Sequence, residues 1–183
     1  LKRYFGLPEG GKLYVLVDAV TPFHDASMLE RTARRLYENG IPFIMSLMPV
    51  YYNTGYPSFA RYTDALRYIQ SLSGSFVLHE PIVTGNELVG DDLETRMDKA
   101  RVAFAENGVH VFSAKAFPYR VSLALLETVE PVDEVFIRMP LDMAATFDVP
   151  GDEAALDAAI GFVRRNRLQL GDYRRFFTNA SYS

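Results

Sequence analysis

Apolar positions along this chain fall into short, nearly continuous runs that alternate with longer amphipathic stretches. KLYVLVD (residues 12–18) is apolar at almost every position, the pattern of a strand covered on both faces. Leu29, Ala33 and Leu36 then recur at helical spacing until Asn39-Gly40, with Ser27 and Glu30 placed as a capping box at the start. Pro42 to Leu47 reads as a second strand. A tyrosine-rich loop, MPVYYNTGYPS, leads to a helix with Phe59, Tyr62, Leu66, Ile69 and Leu72 on one face and Gly74 as its stop. SFVLH (75–79) is the third strand. Asp91-Asp92 open a third helix, where carboxylates suit the positive end of the helix dipole, with Leu93, Met97, Ala100 and Phe104 inward and Asn107-Gly108 at its end. VHVFS (109–113) reads as a fourth strand, roughly Val121 to Thr128 as a short helix, and EVFIR (134–138) as a fifth strand. Asp152 is placed to cap a last helix carrying Leu156, Ala159, Phe162 and Val163.

This grammar of about five βα units predicts an α/β domain built on a mostly parallel sheet. A chain of 183 residues with 49% hydrophobic content suits a single domain over 1–183, and Pro131 and Pro150-Gly151 read as turns rather than linkers. Its opening at Leu1 with a polar, glycine-rich lead reads as a piece of a longer protein. The net charge of −4 comes from mixed charges with no basic run, so nucleic acid is not an expected partner. No apolar stretch reaches the roughly 18 to 20 residues of a membrane span. With no cysteine, disulfides and thiolate metal sites are excluded.

In parallel α/β folds ligands gather at the C-terminal ends of the strands. Those ends carry Asp18, Tyr51-Tyr52, His79-Glu80, Ser113 and Arg138. Three blocks there, VDAVTPF (17–23), IPFIMSLMPVY (41–51) and VLHEPIVT (77–84), resemble consecutive motifs of a branch of the polysaccharide-deacetylase (NodB-homology, carbohydrate esterase family four) superfamily. That branch shows an acidic pair followed by Val-Ser/Thr-Pro, then Ile-Pro-Phe-x-Val-x-x-x-Pro, then His-Gly-x-x-His. The resemblance implies a distorted or incomplete (β/α) barrel and, in active relatives, removal of acetyl groups from amino sugars by a metal-bound water. It implies a carboxylate base and three metal ligands, one Asp and two His.

Asp18 matches the base, whereas Ala19 stands where the metal-binding Asp belongs. His79 matches the first histidine, and Val83 replaces the second. His24 and His110 are the only other histidines; His110 reads as structural, and a rewired site of Asp18, His24 and His79 rests on no motif. The expectation is therefore a vestigial base at Asp18, no bound cofactor, and little or no hydrolysis. The alternative is an active deacetylase that holds zinc or another divalent metal through a rearranged ligand set. Taken singly, Asp18 also suits a turn-capping carboxylate and His79 a pocket wall. Tyr51, Tyr52 and Tyr119, the last in FPYR, which resembles the family's groove block, offer flat faces and hydroxyls suited to sugar rings, with His79 beside them. These rings also suit loop packing. By the same resemblance the expected partners are polysaccharide or other cell-envelope components, and the expected setting is extracellular or the cell envelope.

Overall fold

The computed structural model describes residues 12–79, 92–112, 120–122, 143–165 and 170–174. Strands β1 (Leu13–Val20), β2 (Phe43–Leu47), β3 (Ser75–Leu78), β4 (Val111–Phe112), β5 (Arg120–Ser122) and β6 (Met143–Asp148) form one sheet. Helices α1 (Ala26–Glu38), α2 (Pro57–Ser71), α3 (Leu93–Glu106) and α4 (Glu153–Arg165) connect or follow them. The sheet order is β4-β3-β2-β1-β6-β5, and every pairing is parallel. From β1 the strands run 2, 3, 4 on one side and 6, 5 on the other, the order of a barrel cut open between β4 and β5. The expected incomplete barrel is what the chain builds.

Strand alternation sorts the core into two layers. Leu13, Val15 and Val17 of β1, Phe43, Met45 and Leu47 of β2, and Phe76 and Leu78 of β3 face outward to the helices. Leu29, Ala33 and Leu36 of α1, Phe59, Leu66 and Ile69 of α2, Phe104 of α3 and Leu156 and Phe162 of α4 close over them. The inner face buries Tyr14, Leu16, Ile44, Val77 and Ala144, with Tyr173 packed against them. Tyr173 reaches that position because the tail pairs with the start of β1: Leu170 bridges Leu13, and the Gly171 amide donates to the Leu13 carbonyl at 2.9 Å.

The helix stops act as the residue types predict. Gly40 and Gly108 adopt φ of +66° and +72° just past Asn39 and Asn107, the left-handed turn that glycine makes without steric cost. Asp92 caps α3 through the Thr95 amide, and Asp152 caps α4 through the Ala155 amide at 2.9 Å. On α1 the cap is Asp25 rather than Ser27, because Asp25 takes both the Ser27 amide (2.9 Å) and the Ser27 hydroxyl (3.0 Å). Residues 120–122 pair with β6 as a strand, which corrects the start of the short helix expected from Val121. EVFIR lies outside the described residues. A strand not expected from the sequence, MAATFD at 143–148, lies beside β1, and its small residues hide it from a search for bulky β-formers.

Candidate functional site

The C-terminal end of β1 is irregular. Its pairing with β2 runs regularly to Val17↔Met45 and resumes at Val20↔Leu47, so Asp18 and Ala19 together fill a bulge. Ala19 turns through φ +50°, and its amide donates to Asp18 Oδ1 at 3.0 Å. Beyond the bulge the Val20 carbonyl accepts two bonds, from the Met48 amide at 2.9 Å and from the buried Tyr62 hydroxyl at 3.1 Å. Burial pushes the Tyr62 phenol well above its ordinary range, so it acts as a fixed neutral donor. The strand end is thus locked after the bulge rather than frayed.

On β3, the His79 amide prolongs the ladder by donating to the Leu47 carbonyl at 2.7 Å. This brings His79 Nε2 to 3.7 Å from Asp18 Oδ1, with both side chains about one-fifth exposed. The two strand-end residues thus meet at one end of the sheet. A hydrolytic metal needs three protein ligands with an open position, and among the described residues no group of three His, Asp or Glu side chains could hold one. Ala19 contributes only a methyl group, and Val83 lies outside the described residues. The donor set described does not fit a catalytic metal.

The loop after β1 is a closed turn. His24 Nδ1 accepts the Thr21 amide at 3.0 Å, and the His24 amide donates to the Thr21 carbonyl at 3.2 Å. His24 is therefore committed to shaping this loop, and the loop holds the Phe23 ring in solvent, 94% exposed. Across from it, Asn53 turns through φ +60°, Tyr56 closes that turn onto the Asn53 carbonyl at 3.1 Å, and Pro57 starts α2. Tyr52 and Tyr56 are exposed, and Tyr51 stacks at a tilt on Tyr52 with centroids 4.8 Å apart.

These two loops enclose an open groove of about 540 Å³, walled by Thr21, Phe23, Met48, Tyr51, Tyr52 and Tyr56. Tyr51 is also the wall of a second cleft of about 460 Å³, whose far side is α3 with Thr95, Asp98, Lys99 and Glu106. Of the residues singled out from sequence, Asp18 and His79 come together, Tyr51 and Tyr52 share the groove, and Tyr119 lies outside the described residues. His110 is exposed, and its amide donates to Gln70 at 2.9 Å. Phe23 was not foreseen as part of the site. An aromatic directly after Pro22 in a loop, outside any apolar periodicity, was the available signal.

The chain aligns over 93% of its length with the structure of a family 4 carbohydrate esterase from Bacillus anthracis, covering 86% of that chain, with a TM-score of 0.52 and 11% identity. A peptidoglycan N-acetylglucosamine deacetylase aligns over 94% of this chain and 92% of its own, with a TM-score of 0.47 and 9% identity. In sequence, 86 residues, 43% of this chain, are 30% identical to the uncharacterized protein YdaL of Bacillus subtilis strain 168, and they span only 15% of that protein. No protein-family model matches the chain.

Proposed function

We propose, on the premise that the chain has a polysaccharide-deacetylase-like fold, that it is a non-catalytic domain that binds a cell-envelope or extracellular polysaccharide or helps assemble one. The observation that carries this reading is the groove, where Phe23, Tyr52 and Tyr56 stand exposed around about 540 Å³ at the functional end of the sheet. Aromatic rings held in water by ordered turns are a platform for the apolar faces of sugar rings, and the Tyr52 and Tyr56 hydroxyls serve the rims. Asp18 and His79 meet at 3.7 Å at the ends of β1 and β3, and in this reading they offer further polar contacts to the sugar. A metal-activated water is one means of hydrolysing an acetamide at neutral pH, and position 19 brings no donor toward such a metal. Such a domain acts where the polysaccharide is, at the envelope or outside the cell. Among the described residues no helix is long and apolar enough to cross a membrane.

The test pairs binding with turnover. Tyr52→Ala should weaken oligosaccharide binding by about tenfold, an aromatic contact of roughly 1.4 kcal/mol. Because Tyr52 is exposed, the melting temperature should stay within a few degrees. The unmodified protein should release no acetate from acetylated amino-sugar oligomers, with or without added zinc. Zinc-dependent acetate release, or binding indifferent to Tyr52→Ala, overturns the reading.

A further inference from the structure

The sequence sets a β-branched apolar residue in a stripe of α3 that is otherwise polar. Thr95, Asp98, Lys99, Val102 and Glu106 recur at three- and four-residue spacing, so they lie along one side of the helix. Ala100 and Phe104 are the residues that α3 gives to the core. Val102 is 56% exposed, so burial does not account for it, and valine is a weak helix former, so propensity does not either. Its surroundings do. The stripe is the far wall of the cleft of about 460 Å³, and Tyr51 and Thr54 of the loop after β2 line the same cleft. That cleft adjoins the aromatic groove. Tyr51 lines both, Tyr52 and Asn53 line the groove, and Thr54 lines the cleft, so consecutive residues of one loop form the boundary between them. Tyr51 packs against the core and is tilted onto Tyr52 with centroids 4.8 Å apart, which holds the boundary in place.

We propose that the cleft along α3 is a second subsite continuous with the groove, so that the domain takes a linear glycan of several units rather than a mono- or disaccharide. The inference rests on the glycan-binding reading and adds the length of chain recognised. From Thr95 to Glu106 the stripe runs about 16 Å at the helical rise of roughly 1.5 Å per residue, an extended wall rather than a pit. It matches what a sugar chain presents. Val102 and Tyr51 give apolar surface for ring faces, and Thr54, Thr95 and Glu106 give hydroxyl and carboxylate oxygens for the ring hydroxyls. Small-molecule pockets measure about 300–1,000 Å³ in general. Groove and cleft each fall in that range, so the two side by side suit a chain that passes from one to the other. Once the groove holds one part of the chain, filling the cleft is an intramolecular step, which raises affinity steeply with chain length.

The experiment is calorimetric titration of the protein with the dimer and the hexamer of N-acetylglucosamine. The hexamer should bind at least about tenfold tighter than the dimer. Val102→Glu sets a charge on the cleft wall, and it should cut that gain to within about threefold while affinity for the dimer holds. Because Val102 is exposed, the melting temperature should stay within a few degrees. Tyr52→Ala should weaken both oligomers, since both use the groove. Tyr37→Glu is the control: Tyr37 is as exposed, at 53%, but lines neither cavity, and the gain should survive its replacement. Equal affinity for dimer and hexamer overturns the second subsite, as does a gain that Val102→Glu leaves intact or that Tyr37→Glu abolishes. If the two oligomers bind equally and in a Tyr52-dependent way, only this inference falls. If neither binds, the glycan-binding reading falls with it.

Discussion

Substitution at Ala19 probes the bulge that aims Asp18 into the site. Its φ of +50° places a Cβ-bearing residue in the left-handed region, at a cost of roughly 1–2 kcal/mol. Glycine removes that cost but loosens the unfolded chain by about 0.5–1 kcal/mol, and it deletes a half-buried methyl worth about 0.4 kcal/mol. Ala19→Gly should therefore lie between about 0.4 kcal/mol less stable and about 1 kcal/mol more stable than the parent. Asparagine and aspartate visit this region more readily than other non-glycine residues because their side chains bond locally. Ala19→Asn and Ala19→Asp should match the parent to within about 0.5 kcal/mol. Valine is stiff and branched at Cβ, and Ala19→Val should cost about 2 kcal/mol. Urea titration with an unchanged slope reads these differences as shifts in midpoint. If Ala19→Val proved as stable as Ala19→Asn, the strand end would not have the left-handed turn described. A tolerated Ala19→Asp would show that this turn accepts a carboxylate at the position, so that the missing donor is a matter of side chain and not of backbone shape.

Two further outcomes are expected. The carboxyl of Asp92 is held below its usual range first by the Thr95 backbone amide, then by the Thr95 side chain, with Arg96 nearby. Its contribution to stability is therefore present above the unfolded-state value near 3.9 and lost as pH falls through the lower folded value. Asp92→Ala should lower the melting temperature at pH 7, and the gap to the parent should close under acid; a gap that persists at pH 2 refutes the capping role. A Cβ added at Gly171 would stand 2.4 Å from Cε1 and Cζ of Tyr14. Gly171→Ala should cost about 1–3 kcal/mol by overpacking, and a urea midpoint unchanged from the parent would mean that the tail does not pass so close to the ring.

What could be read from sequence followed from local rules. Helix spans and stops were legible because apolar periodicity and Asn-Gly pairs act within a few residues of themselves. Ser-x-x-Glu is a strong pattern that points to Ser27 as the cap, but Asp25 lies closer to the end of the Thr21–His24 turn and takes the Ser27 amide first. β6 escaped because Ala144 and Ala145 look like helix formers, and only the flanks of β1 and β5 make them a strand. Asp18 and His79 were legible as strand ends, but their approach to 3.7 Å depends on a bulge that VDAV does not announce. Phe23 follows the same logic: its exposure is set by His24 closing the turn beneath it, a contact between residues whose types alone suggested other roles.

The sheet order has a consequence for how the chain is made. β1 is flanked by β2 and by β6, so one of its edges is satisfied by residues 143–148, far later in synthesis. The links between α1 and α4 share this delay: Arg35 reaches Asp157 across 122 positions, and Arg164 reaches Asn39 at 3.1 Å across 125. While the chain is still growing, β1, β2 and β3 can pair as a partial sheet whose β1 edge has open backbone donors and acceptors beside a strongly apolar run. That is the species most exposed to pairing with a second nascent chain. Truncation before β6 should therefore yield an aggregating product.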